Sequence, residues 1–195
     1  MKFHFIYLAA GFSRRYGTNK LLAPYKGIPM YRVLLDRLVN ILTYDKSVID
    51  ITVVTQYKEI QDEVGRINRE TGLPVMCVIN PDPSRGISSS IKCAAAQLIE
   101  DNDALIFFVA DTPRLTEKTV TDFIHAFAKS GKRLACIGRD GEMGNPGGFG
   151  AEFIPELMEL EGDRGGKRIL LAHRDDVFIF SDTKPEELED IDYSC

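Results

Sequence analysis

At 195 residues, 44% hydrophobic and 27% charged, the chain is long enough to bury one sizeable core, and its composition is neither disordered nor fibrous. A net charge of −5 argues against a nucleic-acid-binding surface, and no apolar run approaches the ~20 residues that cross a bilayer. The first residues lead straight into a strand-like segment without the apolar stretch and cleavage site of a signal peptide, so a cytoplasmic protein that binds no membrane is expected.

In chain order, residues 3–10 are a continuous apolar, β-rich run and predict a buried strand. A polar, glycine-containing loop fills 11–20. Residues 29–42 predict a helix that opens on Pro29, with Val33, Leu34, Leu38, Ile41 and Leu42 in an apolar stripe. Strands follow at 51–56, 75–80, 104–110 and 134–138, separated by helices at 58–70, 88–100 and 117–129, the last capped by Thr116. The glycine- and proline-rich segment 141–150 interrupts this alternation and reads as a turn or mobile loop. Two short helical stretches near 152–160 and 164–173 precede a last strand at 177–181.

Such alternation predicts an α/β fold of three layers, a mostly parallel Rossmann-like sheet with helices on both faces. One domain spanning 1–195 is expected, with an acidic tail from about 183 whose default meaning is a solvated end. None of the four cysteines has C-x-x-C spacing, which suggests neither a zinc site nor a redox pair. The three histidines are scattered and read as structural.

Ligands of parallel sheets bind at the carboxyl ends of the strands. The first such end is Leu8-Ala9-Ala10-Gly11, followed by Ser13, Arg14, Arg15 and Lys20. Small residues let a ligand approach the backbone, successive amides can cup an anion, and the cations suit a polyphosphate. The Walker A spacing is absent. So is the dinucleotide fingerprint, whose acidic residue is replaced by Gln56, which argues against an NAD(P) oxidoreductase. At the third strand end, Asn80 leads to Gly86-Ile87-Ser88-Ser89-Ser90, where hydroxyls and amides can bind a nucleotide or merely cap a helix. At the fourth, Asp111 of Ala110-Asp111-Thr112-Pro113 is placed either to bind Mg²⁺ or to stabilise the following turn.

The string LAAG-x-S-x-R-x-G-x-x-K resembles the signature of the glycosyltransferase-A-like nucleotidyltransferases, which share the nucleotide-diphospho-sugar transferase type of fold. It looks most like their molybdenum-cofactor branch, the cytidylyltransferases and guanylyltransferases. Ala110-Asp111-Thr112-Pro113 resembles the family's G-D-x-P metal motif, with Ala for Gly. Gly144-Asn145-Pro146 resembles its G-[HN]-P turn. Glu161-Gly162-Asp163-Arg164-Gly165-Gly166-Lys167 resembles G-D-x-G-A-R, with Lys167 at the Arg position. The resemblance implies that Leu8, Ala9, Ala10, Gly11, Ser13, Asn80, Ser88 and Ser89 bind the nucleotide. It implies catalytic roles for Arg15, Lys20 and Asp111, and metal binding by Asp111 and Asp163. The reaction it implies is transfer of a nucleoside monophosphate from a triphosphate, CTP by the pattern of LAAG and the serine run, to a phosphorylated small molecule of molybdopterin type. Mg²⁺ is the implied cofactor, and a molybdoenzyme or its maturation factor the implied protein partner. GTP, or a sugar- or alditol-phosphate acceptor, is the alternative chemistry. The departures at Ala110 and Lys167 also motivate a non-catalytic nucleotide-binding module.

Overall fold

The apolar runs assemble into one seven-stranded sheet in the computed structural model, which describes residues 1–11, 19–96, 103–139 and 141–191. Its strands are β1 (Phe3–Ala9), β4 (Val48–Thr55), β5 (Val75–Ile79), β6 (Ala104–Val109), β7 (Leu134–Arg139), β8 (Glu142–Gly150) and β9 (Val177–Phe180). A separate two-residue ribbon, β2 (Pro24–Tyr25) with β3 (Ile28–Pro29), follows the first loop. The order across the sheet is β5-β4-β1-β6-β8-β7-β9. Every pairing is parallel except those of β8, which runs antiparallel to both β6 and β7. The mostly parallel α/β fold expected from the alternation is the one observed.

Period-two geometry divides β1 between two cores. Phe3, Phe5, Tyr7 and Ala9 face one apolar cluster, Ile6 and Leu8 the other. The first cluster is completed by α1 (Met30–Tyr44), α2 (Lys58–Thr71) and α4 (Glu117–Ser130), the second by α3 (Ile87–Ala95), α5 (Ile154–Met158) and α6 (Lys167–Ala172). A sheet covered on both faces needs apolar residues at nearly every position of its central strands, which is why β1 and β6 lack alternation. Helix α4 begins as its sequence predicts: the Thr116 hydroxyl accepts the Thr119 amide at 3.2 Å. Among the described residues, no helix is long and apolar enough to cross a membrane.

Two expectations are corrected. Residues 142–150 form neither a turn nor a mobile loop but β8, hydrogen-bonded on both sides within the sheet. Its glycines serve space rather than freedom: a Cβ on Gly148 would stand 2.8 Å from the Phe127 ring and 2.9 Å from Ile106. Pro146, which lacks an amide, falls where the β7–β8 register shifts between Cys136 and Gly138, the kind of irregularity where a sheet tolerates proline. The acidic tail is likewise docked as far as Ile191. Glu187 is buried and accepts the Thr116 amide at 3.1 Å, Glu189 pairs with Arg114, and the Ile191 amide donates to the Asp111 carbonyl at 3.0 Å.

Candidate active site

The carboxyl ends of β1 and β6, the start of α3 and the turn at 161–163 enclose a cavity of about 380 Å³. Leu8, Ala10 and Gly11 line it at the end of β1, the last without a side chain. Lys20 reaches it from a turn built locally: Asn19 accepts the Leu21 amide through its side chain at 3.0 Å and the Leu22 amide through its carbonyl at 3.1 Å. The Lys20 ammonium lies 2.9 Å from Asp111 Oδ2, and both side chains are largely buried.

Asp111 is held from three directions. The Ala110 amide continues the sheet by donating to the Leu8 carbonyl at 3.1 Å. Arg37 of α1 donates to the carbonyls of Pro113 and Leu115, both at 2.7 Å. The tail's bond from Ile191 closes the loop behind. Beneath the site Tyr7 is fully buried and donates its hydroxyl to the Tyr31 carbonyl at 2.6 Å. Burial, aided by the negative charge of Asp111, pushes this phenol well above its ordinary range and keeps it a neutral strut.

Asp163 enters the same cavity from the opposite wall. The Gly162 carbonyl accepts the Ser88 amide at 3.2 Å and so satisfies one of the free donors at the start of α3. This close packing requires a glycine at 86: φ is +85°, and a Cβ would lie 2.5 Å from Asp163 Oδ1. Two carboxylates on one cavity suit a hard cation. Among the described residues, no group of three or more acidic, histidine or cysteine side chains gathers to hold one. A cation here would complete its shell with substrate phosphate oxygens and water, as Mg²⁺ commonly does.

Of the residues singled out from sequence, the structure brings Leu8, Ala10, Gly11, Lys20, Asp111 and Asp163 to one cavity. Ala9, Asn80, Ser88 and Ser89 are not among its lining residues. Ala9 is buried in β1. Asn80 is buried and donates to the Ser89 and Ser90 hydroxyls at 2.8 and 2.9 Å. Ser13 and Arg15 lie outside the described residues. Lys167 pairs at 3.6 Å with Glu142 on the exterior and does not line the cavity. Sequence reasoning takes Ser90 only as part of the serine run and singles out Ser88 and Ser89, whereas Ser90 lines the cavity beside Ile87. Their i, i+3 spacing on a helix was the available signal.

Solved structures share this architecture. A nucleotidyl transferase from Methanothermobacter thermautotroptrophicus superposes with a TM-score of 0.68 at 18% identity, covering 97% of this chain and 91% of its own. Rv0371c of Mycobacterium tuberculosis, solved in complex with manganese, gives a TM-score of 0.68 at 19% identity over 93% and 88%. The α/β sheet is thus one that a solved nucleotidyl transferase shares. The chain belongs to the family of the MobA-like NTP transferase domain, which matches residues 5–177. It is also similar to purine catabolism protein PucB of Bacillus subtilis, with 25% identity covering 96% of this chain and 90% of that protein.

Proposed function

We propose that this nucleotidyltransferase moves a nucleoside monophosphate from CTP to the terminal phosphate of a molybdopterin-type acceptor and releases pyrophosphate. The observation that carries the transfer chemistry is the Lys20–Asp111 pair at 2.9 Å, set across a glycine-lined cavity that Asp163 also enters. CTP and the acceptor are supported by the LAAG string and the serine run at 88–90.

The triphosphate lies along the Ala10–Gly11 backbone, and Lys20 exchanges its carboxylate partner for phosphate oxygens. An oxygen of the acceptor phosphate attacks the α-phosphorus, the bond to the bridging β-phosphate oxygen breaks, and pyrophosphate departs. The acceptor is already anionic, so no side-chain base is required. Rate is gained from in-line positioning and from neutralising charge on the phosphates. Asp111 and Asp163 would hold Mg²⁺, which when bound supplies Lewis-acid neutralisation of the phosphates. Arg15, by the same resemblance, adds positive charge toward the departing pyrophosphate.

The test is thermal unfolding with CTP, GTP, UTP, ATP and NAD, with and without Mg²⁺, followed by pyrophosphate release with molybdopterin. A ligand at ~100 times its dissociation constant stabilises by ~2.7 kcal/mol, and each kcal/mol moves the midpoint by ~2–4 °C in a domain of this size. A shift with CTP and Mg²⁺, with pyrophosphate formed only when molybdopterin is present, is expected. Release with GTP instead would move the reading to guanylyl transfer. Binding without release under any acceptor would make the chain a nucleotide-binding module.

A further inference from the structure

The backbone ladder between β1 and β4 ends at Ala9, and three consecutive side chains continue it. Thr55 Oγ1 donates to the Ala9 carbonyl at 2.9 Å, Gln56 Nε2 to the Ala10 carbonyl at 2.8 Å, and the Tyr57 hydroxyl to the Gly11 carbonyl at 2.8 Å. Gln56 Nε2 also reaches the Tyr57 hydroxyl at 3.3 Å, which joins the second and third contacts.

This arrangement breaks the alternation of an extended strand. The Leu8 carbonyl faces β6, where it accepts the Ala110 amide, and the Ala9 carbonyl faces β4. Regular geometry would return the Ala10 carbonyl to the β6 side. Gln56 holds it on the β4 side instead. In a planar trans peptide the N–H points opposite to the C=O. The amides of both Ala10 and Gly11 therefore turn toward the β6 flank, where the cavity opens beside Lys20 and Asp111. Neither meets a protein acceptor among the described residues. Two successive amides on one side make a concavity for an anion.

We infer that Gln56 and Tyr57 are positioning residues: Gln56, by holding the Ala10 carbonyl against β4, aims the Gly11 amide beside that of Ala10 at the phosphate chain of the nucleoside triphosphate, and Tyr57, which accepts from Gln56 Nε2 and holds the Gly11 carbonyl, braces that arrangement. The inference rests on the nucleotidyltransferase reading and adds to it how the first loop acquires affinity for polyphosphate. Gln56 stands where a dinucleotide-binding protein would place a carboxylate for a ribose. Here its amide serves the neighbouring backbone instead.

The experiment compares full-length wild type with Tyr57→Phe and Gln56→Met, which keep the approximate shape and lose the donors. Calorimetry measures the dissociation constants of CTP, GTP and inorganic tripolyphosphate with Mg²⁺, steady-state pyrophosphate release separates KM from kcat, and thermal unfolding of the unliganded proteins checks the fold. Each variant should bind triphosphate and tripolyphosphate about tenfold more weakly, the scale of one lost polar contact, and the defect should fall on KM more than on kcat. Variants with an unchanged thermal midpoint that bind both probes within about twofold of wild type would overturn the inference. So would a lowered midpoint with unchanged affinity in the folded fraction, which is what a purely structural role produces. If wild type itself binds neither triphosphate nor tripolyphosphate, the nucleotidyltransferase reading fails before any variant is compared.

Discussion

At the scale of single residues, two buried charged arrangements do different work. Lys20 and Asp111 neutralise each other in the cavity, and in the proposed reaction their charges meet a substrate carrying phosphates and a cation. Asp111→Asn keeps the shape and removes the charge. Turnover should fall by about 10²-fold or more with little change in thermal midpoint, read by pyrophosphate release beside an unfolding scan. An active variant would remove Asp111 from the mechanism. His4, at the opposite end of β1, sits between Asp50 at 3.0 Å and Asp103 at 3.5 Å. The hydrogen bond to Asp50 raises its pKa above the ordinary 6.5, against the opposing cost of burial. A raised folded value means that the stabilisation is full below the unfolded pKa and is lost as pH climbs through the folded one. His4→Asn should therefore be less stable than wild type near pH 6, with the gap closing by about pH 9. Denaturant unfolding at both pH values checks it, and a gap independent of pH would assign the loss to packing.

At the scale of elements, β8 shows glycine used for its small volume. Its position between β6 and β7 brings Phe127 and Ile106 against the backbone of Gly148. Gly148→Ala should cost about 1–3 kcal/mol by overpacking, despite alanine's smaller backbone entropy loss. Calorimetric unfolding measures this. A neutral or stabilising result would mean that the Phe127 ring yields freely. Helix α4 depends on two caps from different parts of the chain: Thr116 supplies its own hydroxyl to Thr119, and Glu187 brings a carboxylate to the Thr116 amide and hydroxyl. An anion at that end also complements the helix dipole.

At the scale of the whole molecule, residues 185–191 return to the loop that carries Asp111. After β9 at one edge of the sheet, residues 185–191 run back past the start of α4 to the loop after β6. Removing residues 184–195 deletes the Glu187 cap and the Ile191 donor together. The truncated protein should unfold about 2–8 °C lower, for a loss of roughly 1–2 kcal/mol from two polar contacts. Its turnover should fall further than the stability loss explains, because the Asp111 carbonyl loses an anchor. Pyrophosphate release measured well below the new midpoint tests this, and unchanged turnover there would leave the tail a purely structural strap.

The sequence by itself determined the sheet's parallel core and the strand ends whose residues meet at one cavity. Buried parallel strands must be continuously apolar, so β1, β4 and β6 announce themselves, and small or charged residues at their ends have nowhere to go but the ligand side. Leu8, Gly11, Lys20 and Asp111 were legible for that reason. Tertiary structure alone decided the rest. Glycines at 144, 147 and 148 carry no local preference for a strand, and only pairing with β6 and β7, with Phe127 and Ile106 packed against Gly148, makes β8 one. Glutamates 187 and 189 look like solvent-seeking charge until α4 and Arg114 supply partners more than 70 residues away. The choice of Ser90 over its neighbours depends on the phase of α3, and the hold of Gln56 and Tyr57 on the first loop depends on the register of β1 against β4. Each of these turns on where a distant residue stands, and local pattern carries no such distance.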